Sequence, residues 1–369
     1  MEKIYKFLLG SSAILGLLAI GTLIFGNGLH DTGLFVIGAL VCLAIGGQGK
    51  PAIKQHAFTL WVIIAVAIGM YYPQYFRQIG DFKLTKLIVP LIQLIMFTMG
   101  TEMSLKDFEA VIKTPKAVLI GLVCHFTIMP LVAIIIATTF GFPPEIAAGV
   151  VLMGSVPSGV TSNVLAFIAK ANMPLSVTIA AISTLVAPIM TPFLMKTLAG
   201  QFVEIDFVAM MLHVTEIIIV PIVLGLIVNK LIRHGAKWLQ TVMPIVSMVG
   251  VFMMILVIVS AGRDNLLSIG PLLFIASMIH HSTGYLLGYW SGRLLKLDEA
   301  TCRTISLEVG MQNAGLASGI AIQMGKVATV GLASAIAAPW MTISGSMLAN
   351  WWRNKAMKED KTLISQEIQ

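Results

Sequence analysis

The sequence predicts an all-α polytopic membrane protein, and three observations carry that reading. Apolar residues make up 57% of the 369, and charged residues only 11%. A soluble chain is about a quarter charged and uses those groups to cover its surface. Apolar runs long enough to cross a bilayer recur from end to end. Lysine and arginine divide unevenly between the alternate gaps separating those runs. Soluble enzymes, disordered chains and nucleic-acid binders are excluded by this composition, and the bilayer itself is the expected surrounding.

Twelve spans follow, at 6–26, 32–48, 57–73, 84–104, 115–139, 145–169, 173–199, 206–230, 240–261, 267–292, 301–325 and 328–352. Of the 24 Lys and Arg, six (Arg77, Lys83, Lys86, Lys196, Arg263 and Lys326) fall in one set of gaps and 18 in the other. The positive-inside rule then places both termini in the cytoplasm of a multi-pass protein in the cell (inner) membrane, and the net charge of +7 reads as orientation. Lys3 and Lys6 precede the first run as they would in a secretory signal. No A-x-A site follows, so the run is expected as a retained helix. Tyr71, Tyr72, Tyr75, Phe76, Trp351 and Trp352 sit at span ends as interfacial anchors. Cys42, Cys124 and Cys302 lie far apart, with neither a disulfide framework nor a metal pair.

An internal repeat organises these spans. Ala187-Pro188-Ile189-Met190-Thr191 matches Ala338-Pro339-Trp340-Met341-Thr342, and each follows a polar, glycine-bearing interruption. The first interruption is Pro157-Ser158-Gly159-Val160-Thr161-Ser162-Asn163; the second is Glu308-Val309-Gly310-Met311-Gln312-Asn313-Ala314-Gly315. The interruptions fall in spans six and eleven, so their copies cross in opposite directions. Inverted repeats with paired interrupted helices mark secondary transporters, and the interruptions mark the ligand site. The expected division is a two-helix extension (1–50), a five-helix repeat (57–199), its inverted partner (206–352) and a polar, solvated tail (353–369).

Glu308 carries the chemistry. An ionised carboxylate in an apolar run costs about 2.5–3.5 kcal/mol on insertion scales, so it calls for a cation, a proton or a basic partner. Gln312 and Asn313 supply amide oxygens, and unwinding at Gly310 and Gly315 frees carbonyls. Oxygen-rich coordination with one negative charge suits Na+. A protonated acid buried in packing is the plain alternative. In the mirror element, Pro157 and Gly159 free backbone groups while Ser158, Thr161, Ser162 and Asn163 add hydroxyl and amide ligands. Half-helices starting there can also attract an organic anion's carboxylate, which makes Pro157, Ser158, Gly159 and Thr161 substrate-binding candidates.

Other polar residues say less. His213 and Glu216 have metal-pair spacing without a third ligand, and a cavity-facing hydrogen-bonded pair is the expectation. His280-His281 lies inside a span and is expected to line the interior. His125 reads as a satisfied polar residue between helices. There is no P-loop for ATP-driven transport and no hydrolase signature.

The stretches Pro157–Asn172 (PSGVTSNVLAFIAKAN), Ser183–Pro192 (STLVAPIMTP) and Glu308–Gly315 (EVGMQNAG) resemble the bile acid:sodium symporter family over roughly residues 57–352. The resemblance implies two inverted five-helix repeats, two broken helices crossing at mid-membrane, and a core domain moving against a panel domain to give alternating access. It implies one sodium site of Ser162, Asn163, Ser176 and Glu308. A second would use Glu308, Gln312 and the carbonyls of Val309 and Met311, with Asn313 facing the substrate crevice. The chain departs from the pattern at His125, where the family has Gln before a Met-Pro pair, and at Ala180, where it has Thr. A neutral imidazole is a poor Na+ ligand, which weakens the second site and makes His125 a candidate for coupling to a proton. The expected function is sodium-coupled symport, with one or two Na+, of a small amphipathic organic anion. A proton-coupled or uncoupled carrier of the same fold, or a receptor that does not translocate, stands as the alternative.

Overall fold

A computed structural model describes residues 1–25, 29–54, 56–102, 114–159, 161–231 and 237–367. Val160 of the first interruption, and Lys106, Lys113 and Arg233 of the charge count, lie outside the described residues. The protein is an all-α polytopic membrane protein. Its helices are α1 (Glu2–Phe25), α2 (Leu29–Gly46), α3 (Ala57–Tyr71), α4 (Ile88–Glu102), α5 (Pro115–Thr139), α6 (Pro144–Ser155), α7 (Thr161–Ile168), α8 (Met173–Leu194), α9 (Phe207–Leu231), α10 (Lys237–Leu294), α11 (Glu299–Gly310), α12 (Ala314–Gln323) and α13 (Val330–Glu367). Eight stretches of described helix are long and apolar enough to cross a membrane. The sequence reads twelve spans because α6–α7 and α11–α12 cross in pieces, α3 is short, and α10 holds two of the expected spans.

The α10 assignment runs unbroken through the gap expected at 262–266. Met254 and Tyr285 nevertheless both pack at the second interruption, against Gly315 and Gly310 respectively. A straight helix would hold them about 45 Å apart. The helix therefore folds back between them, and the polar run Arg263-Asp264-Asn265 is where it does so. Arg263 Nε donates to the Met70 carbonyl at 2.6 Å and Asn265 Nδ2 to that of Ala328 at 2.8 Å, so both hold the fold-back to one end of the molecule.

The first half of α10 lies in a row of helices, α9–α4–α10–α3–α2–α1. Lipid tails are as apolar as leucine, so these helices hold by close packing. Gly100 of α4 meets the Ile222 backbone of α9, and Gly225 of α9 meets the Phe97 carbonyl. The extension α1–α2 is a hairpin added to the end of this row, with Gly33 against the Tyr71 ring and Ser12 Oγ donating to the Ala39 carbonyl. Helices α5 to α8, the second half of α10, and α11 to α13 form a bundle beside the row.

Two local features escape the sequence reading. Gln78–Ile79 and Phe82–Lys83 pair as a short antiparallel hairpin, closed at Gly80, whose φ of +57° suits a two-residue turn. The polar tail is helical where it is described: α13 continues to Glu367.

Candidate functional site

Both interruptions are breaks in helices, and the breaks touch. Helix α6 ends at Ser155 and α7 begins at Thr161; α11 ends at Gly310 and α12 begins at Ala314. Between them Ser158 and Gln312 form an antiparallel bridge. Gly159 N donates to the Met311 carbonyl at 3.1 Å, and Asn313 N to the Pro157 carbonyl at 2.9 Å. Glycine is required at 159: a Cβ there would stand 2.7 Å from the Gln312 carbonyl oxygen, which is backbone and cannot step aside.

A helix end inside a membrane must find partners for its last carbonyls. Helix α6 is capped by Thr191 Oγ1, which donates to the Ser155 carbonyl at 2.8 Å. That threonine closes the first copy of the repeated string, so one role of the string is to finish the broken helix beside it. On α11 the Val309 carbonyl accepts from Gln312 Nε2 at 3.0 Å, and the Gly310 carbonyl faces His281 Nδ1 at 2.8 Å. His125 serves both broken helices. Its Nδ1 stands 2.9 Å from the Glu308 carbonyl and its Nε2 2.9 Å from the Val156 carbonyl. A neutral imidazole has one N–H and can donate to only one of these.

Glu308 is fully buried at the crossing. Its carboxylate accepts from Ser158 Oγ at 2.6 Å and from Ser176 Oγ at 2.5 Å. Ser162 Oγ lies 3.4 Å from Ser158 Oγ, and Asn163 Oδ1 lies 2.9 Å from Ser176 Oγ. Among the described residues no lysine, arginine or histidine forms an ion pair with Glu308. The cluster is therefore rich in acceptors and poor in protons. Ser176 has one hydrogen and two acceptors within reach, and each serine hydroxyl that donates to Glu308 still offers lone pairs. A small cation, or a proton on Glu308, completes such a set. Gln312 Oε1 adds a buried acceptor with no hydrogen-bond partner. No group of three His, Cys, Asp or Glu with metal-site geometry occurs among the described residues.

The structure brings Ser162, Asn163, Ser176 and Glu308 into one hydrogen-bonded cluster. It adds Ser158, which the sequence groups with the substrate candidates. Val309, Met311 and Gln312 lie at the same crossing, with the backbone of Met311 tied to Gly159. Asn313 Oδ1 caps α12 by accepting from Leu316 N at 3.0 Å, while its buried Nδ2 has no partner. Pro157 and Gly159 are buried in the crossing and Thr161 is half-buried at the start of α7. From Asn313, α12 runs along the seam with the helix row. Met254 packs near Gly315 there, and Ile92 and Ile217 against Gly319, so aliphatic side chains fill the seam at that depth.

Sequence reasoning did not assign Thr191, His281 or Tyr285 to the site. Tyr285 packs on Gly310 and donates to the Met341 carbonyl at 2.9 Å. For Thr191 the signal was present in the repeated string; for Tyr285 there was none. His213 and Glu216 are not the hydrogen-bonded pair expected: both are exposed on α9, and neither has a hydrogen bond or ion pair among the described residues. His213 does border a cavity of about 190 Å³, shared with Glu204, Asp206, Gln323 and Lys326, at the far end of α12.

Comparison with known proteins places the chain. The model of the Sodium Bile acid symporter family matches residues 89–269. The chain is 37% identical over 304 residues to the uncharacterized sodium-dependent transporter YocS of Bacillus subtilis (strain 168), covering 82% of this chain and 93% of that one. It is 31% identical over 304 residues to the probable sodium/metabolite cotransporter BASS1, chloroplastic, of Arabidopsis thaliana, covering 82% and 75%. It is 31% identical over 250 residues to the ileal sodium/bile acid cotransporter of Homo sapiens, covering 66% and 71%. With relatives at 37% and 31% identity covering 82% of its length, the family model matched at residues 89–269, and two interrupted helices meeting around a buried acid, this chain belongs to the sodium bile acid symporter family.

Proposed function

We propose that this protein is a secondary active transporter that couples Na+ entry to the symport of a small amphipathic organic anion. The observation that carries the reading is the acceptor-rich cluster around Glu308 at the crossing of the two broken helices. Sodium held by Glu308, Ser158, Ser162, Asn163 and Ser176 offsets the buried charge and ties α6–α7 to α11. A second cation would draw on Glu308, Gln312 and the carbonyls of Val309 and Met311. The unpartnered Asn313 Nδ2, at the start of α12, is the donor for the anion's carboxylate, with Pro157, Ser158, Gly159 and Thr161 around it. Cation binding orders the crossing, so the anion binds best after the cation, and each tightens the other by the same factor.

In this reading residues 57–199 and 206–352 are inverted halves. The helix row is the panel, the bundle is the core, and their relative movement opens the seam to either side. Both termini face the cytoplasm. The names of the relatives support sodium coupling, and the apolar seam beside Asn313 supports an amphipathic substrate.

The test is uptake of radiolabelled organic acids into proteoliposomes under an imposed Na+ gradient, with choline and a pH gradient as controls. Accumulation that follows Na+ alone is expected. Accumulation that follows the pH gradient instead assigns a proton, with His125 or Glu308 as its carrier. Binding without counterflow would make the chain a receptor.

A further inference from the structure

The seam between α12 and the helix row is not filled evenly. From Glu308 to Ala321 every residue is buried except Gly315, which is half-buried. Outside its own stretch of helix backbone, a Cβ on Gly315 would meet only two atoms within 4 Å among the described residues. They are Asn313 Oδ1 at 3.3 Å and Met254 Cε at 3.7 Å. An amide and a methyl group thus border one small gap from two sides. The amide is the one whose Nδ2 has no partner, on a side chain only 6% exposed.

One helical turn further along, the seam shuts. A Cβ on Gly319 would stand 2.5 Å from Ile92 Cδ1 and 3.6 Å from Ile217 Cδ1, and both isoleucines are fully buried. After one more turn, Gln323 borders the cavity of about 190 Å³. Gly315, Gly319 and Gln323 recur every fourth residue, so they share one face of α12. From the crossing outward, that face passes an unpartnered amide, a gap, an isoleucine barrier and a cavity. The walls differ in stiffness. Methionine has three rotatable bonds and fills irregular space, whereas isoleucine is held at χ1.

We infer that Met254, Ile92 and Ile217 select the substrate, and that they select a short-chain carboxylate. The inference rests on the reading of Asn313 as the donor for the anion. A carboxylate on Asn313 Nδ2 sets the first carbons of the anion over Gly315, where Met254 is the wall that adapts to their girth. The isoleucine pair then sets length. Four residues of helix rise about 6 Å, the reach of a chain of about four carbons. An anion of that length lets the pair close behind it. A longer one, steroid-sized anions included, props the pair apart, so it binds without being carried.

The test compares 2-oxopentanoate with 2-oxooctanoate, which both stay ionised at neutral pH. Uptake is measured in proteoliposomes under a Na+ gradient, and binding from the unfolding temperature of the full chain in Na+. The wild-type chain is expected to carry the shorter acid about tenfold faster. Gly315→Ala, whose methyl group enters the gap, is expected to weaken binding of 2-oxopentanoate about tenfold while leaving the response to Na+. Adding Met254→Ala, which opens the opposite wall, should restore most of that binding. Ile92→Val with Ile217→Val removes the two Cδ1 atoms at Gly319 and should narrow the uptake ratio about fivefold. Val259→Ala, in the same row but packed on Gly69 of α3, should leave the ratio unmoved. A ratio unchanged by the valine pair, or a Gly315→Ala defect that Met254→Ala does not relieve, would overturn the inference and leave the transport reading standing. Uptake of neither acid by a wild-type chain that still responds to Na+ would refute the substrate class. Indifference to Na+ as well would refute the reading on which the inference rests.

Discussion

Ser158 and Glu308, 150 residues apart in the chain, meet at 2.6 Å, and they belong to different broken helices. Neither helix could hold this contact alone. The hydroxyl stands in the gap between α6 and α7, and the carboxylate projects from the last turn of α11 before its own gap. The contact exists because the two breaks lie antiparallel against each other, and it makes the acid's environment a joint product of both halves of the chain.

Removing one hydroxyl from that environment has a calculable effect. A hydrogen bond to a charged group contributes about 1.5–3 kcal/mol. Ser158→Ala and Ser176→Ala should each weaken half-maximal activation by Na+ by about 10- to 150-fold, with the fold intact. Titration of uptake against Na+ checks this, and Thr138→Ala, whose hydroxyl bonds only within its own exposed helix turn, should leave the curve unmoved.

Gly159→Ala tests the crossing itself. The new methyl group would press on the Gln312 carbonyl and force the two gaps apart. Overpacking of this kind costs about 1–3 kcal/mol. The variant should unfold at lower temperature and lose transport. Gly16→Ala, where a Cβ meets nothing within 4 Å, should change neither.

His125→Ala should destabilise the protein by leaving whichever of the Val156 and Glu308 carbonyls accepts the imidazole N–H without its donor, and by removing the ring that bridges the two. An unpartnered buried polar group costs about 1–3 kcal/mol. Because the two carbonyls lie on different broken helices, the loss should appear in transport as well as in thermal unfolding. His125→Gln, which has an amide N–H₂ to offer, should recover part of both.

Acid sensitivity is expected at the start of α11. Burial alone would raise the Asp298 carboxyl, but hydrogen bonds from the Thr301 hydroxyl and from the backbone N–H groups of Thr301 and Ala300 outweigh it and hold the carboxyl below its usual range. Its stabilisation is thus complete above the ordinary aspartate value of about 4, and it fades as pH falls through the depressed one. Thermal unfolding between pH 6 and pH 3 should show this loss. Asp298→Asn keeps a cap for the helix but cannot titrate, so its unfolding temperature should vary less over that range.

Particular residues show how far the sequence could be read. Pro157, Gly159, Gly310 and Gly315 announced the two breaks, because proline and glycine act on the backbone directly. The intramembrane charge of Glu308 announced the site for the same reason: its cost is local and does not depend on the fold. What remained hidden depended on three-dimensional placement. Ser158 became a partner of Glu308 only because the gaps lie antiparallel, and Thr191 became a cap only because α8 passes the end of α6. The fold-back of α10 at Arg263-Asp264-Asn265 was legible as a polar gap, but the helical turn that continues through it was not. Glu216 had helical spacing to His213, which could not tell a mutual pair from two exposed residues of which only His213 borders the cavity beside α12.

Sodium-dependent thermal unfolding in detergent tests the central claim most directly. A ligand bound only by the folded state stabilises it by RT ln(1 + [L]/Kd), so the unfolding temperature should climb steadily with Na+ once the site begins to fill. The account predicts that climb for the wild-type chain at constant ionic strength against choline, and its absence in Glu308→Gln. A wild-type chain indifferent to Na+, or a Glu308→Gln chain that responds to it equally, would contradict it.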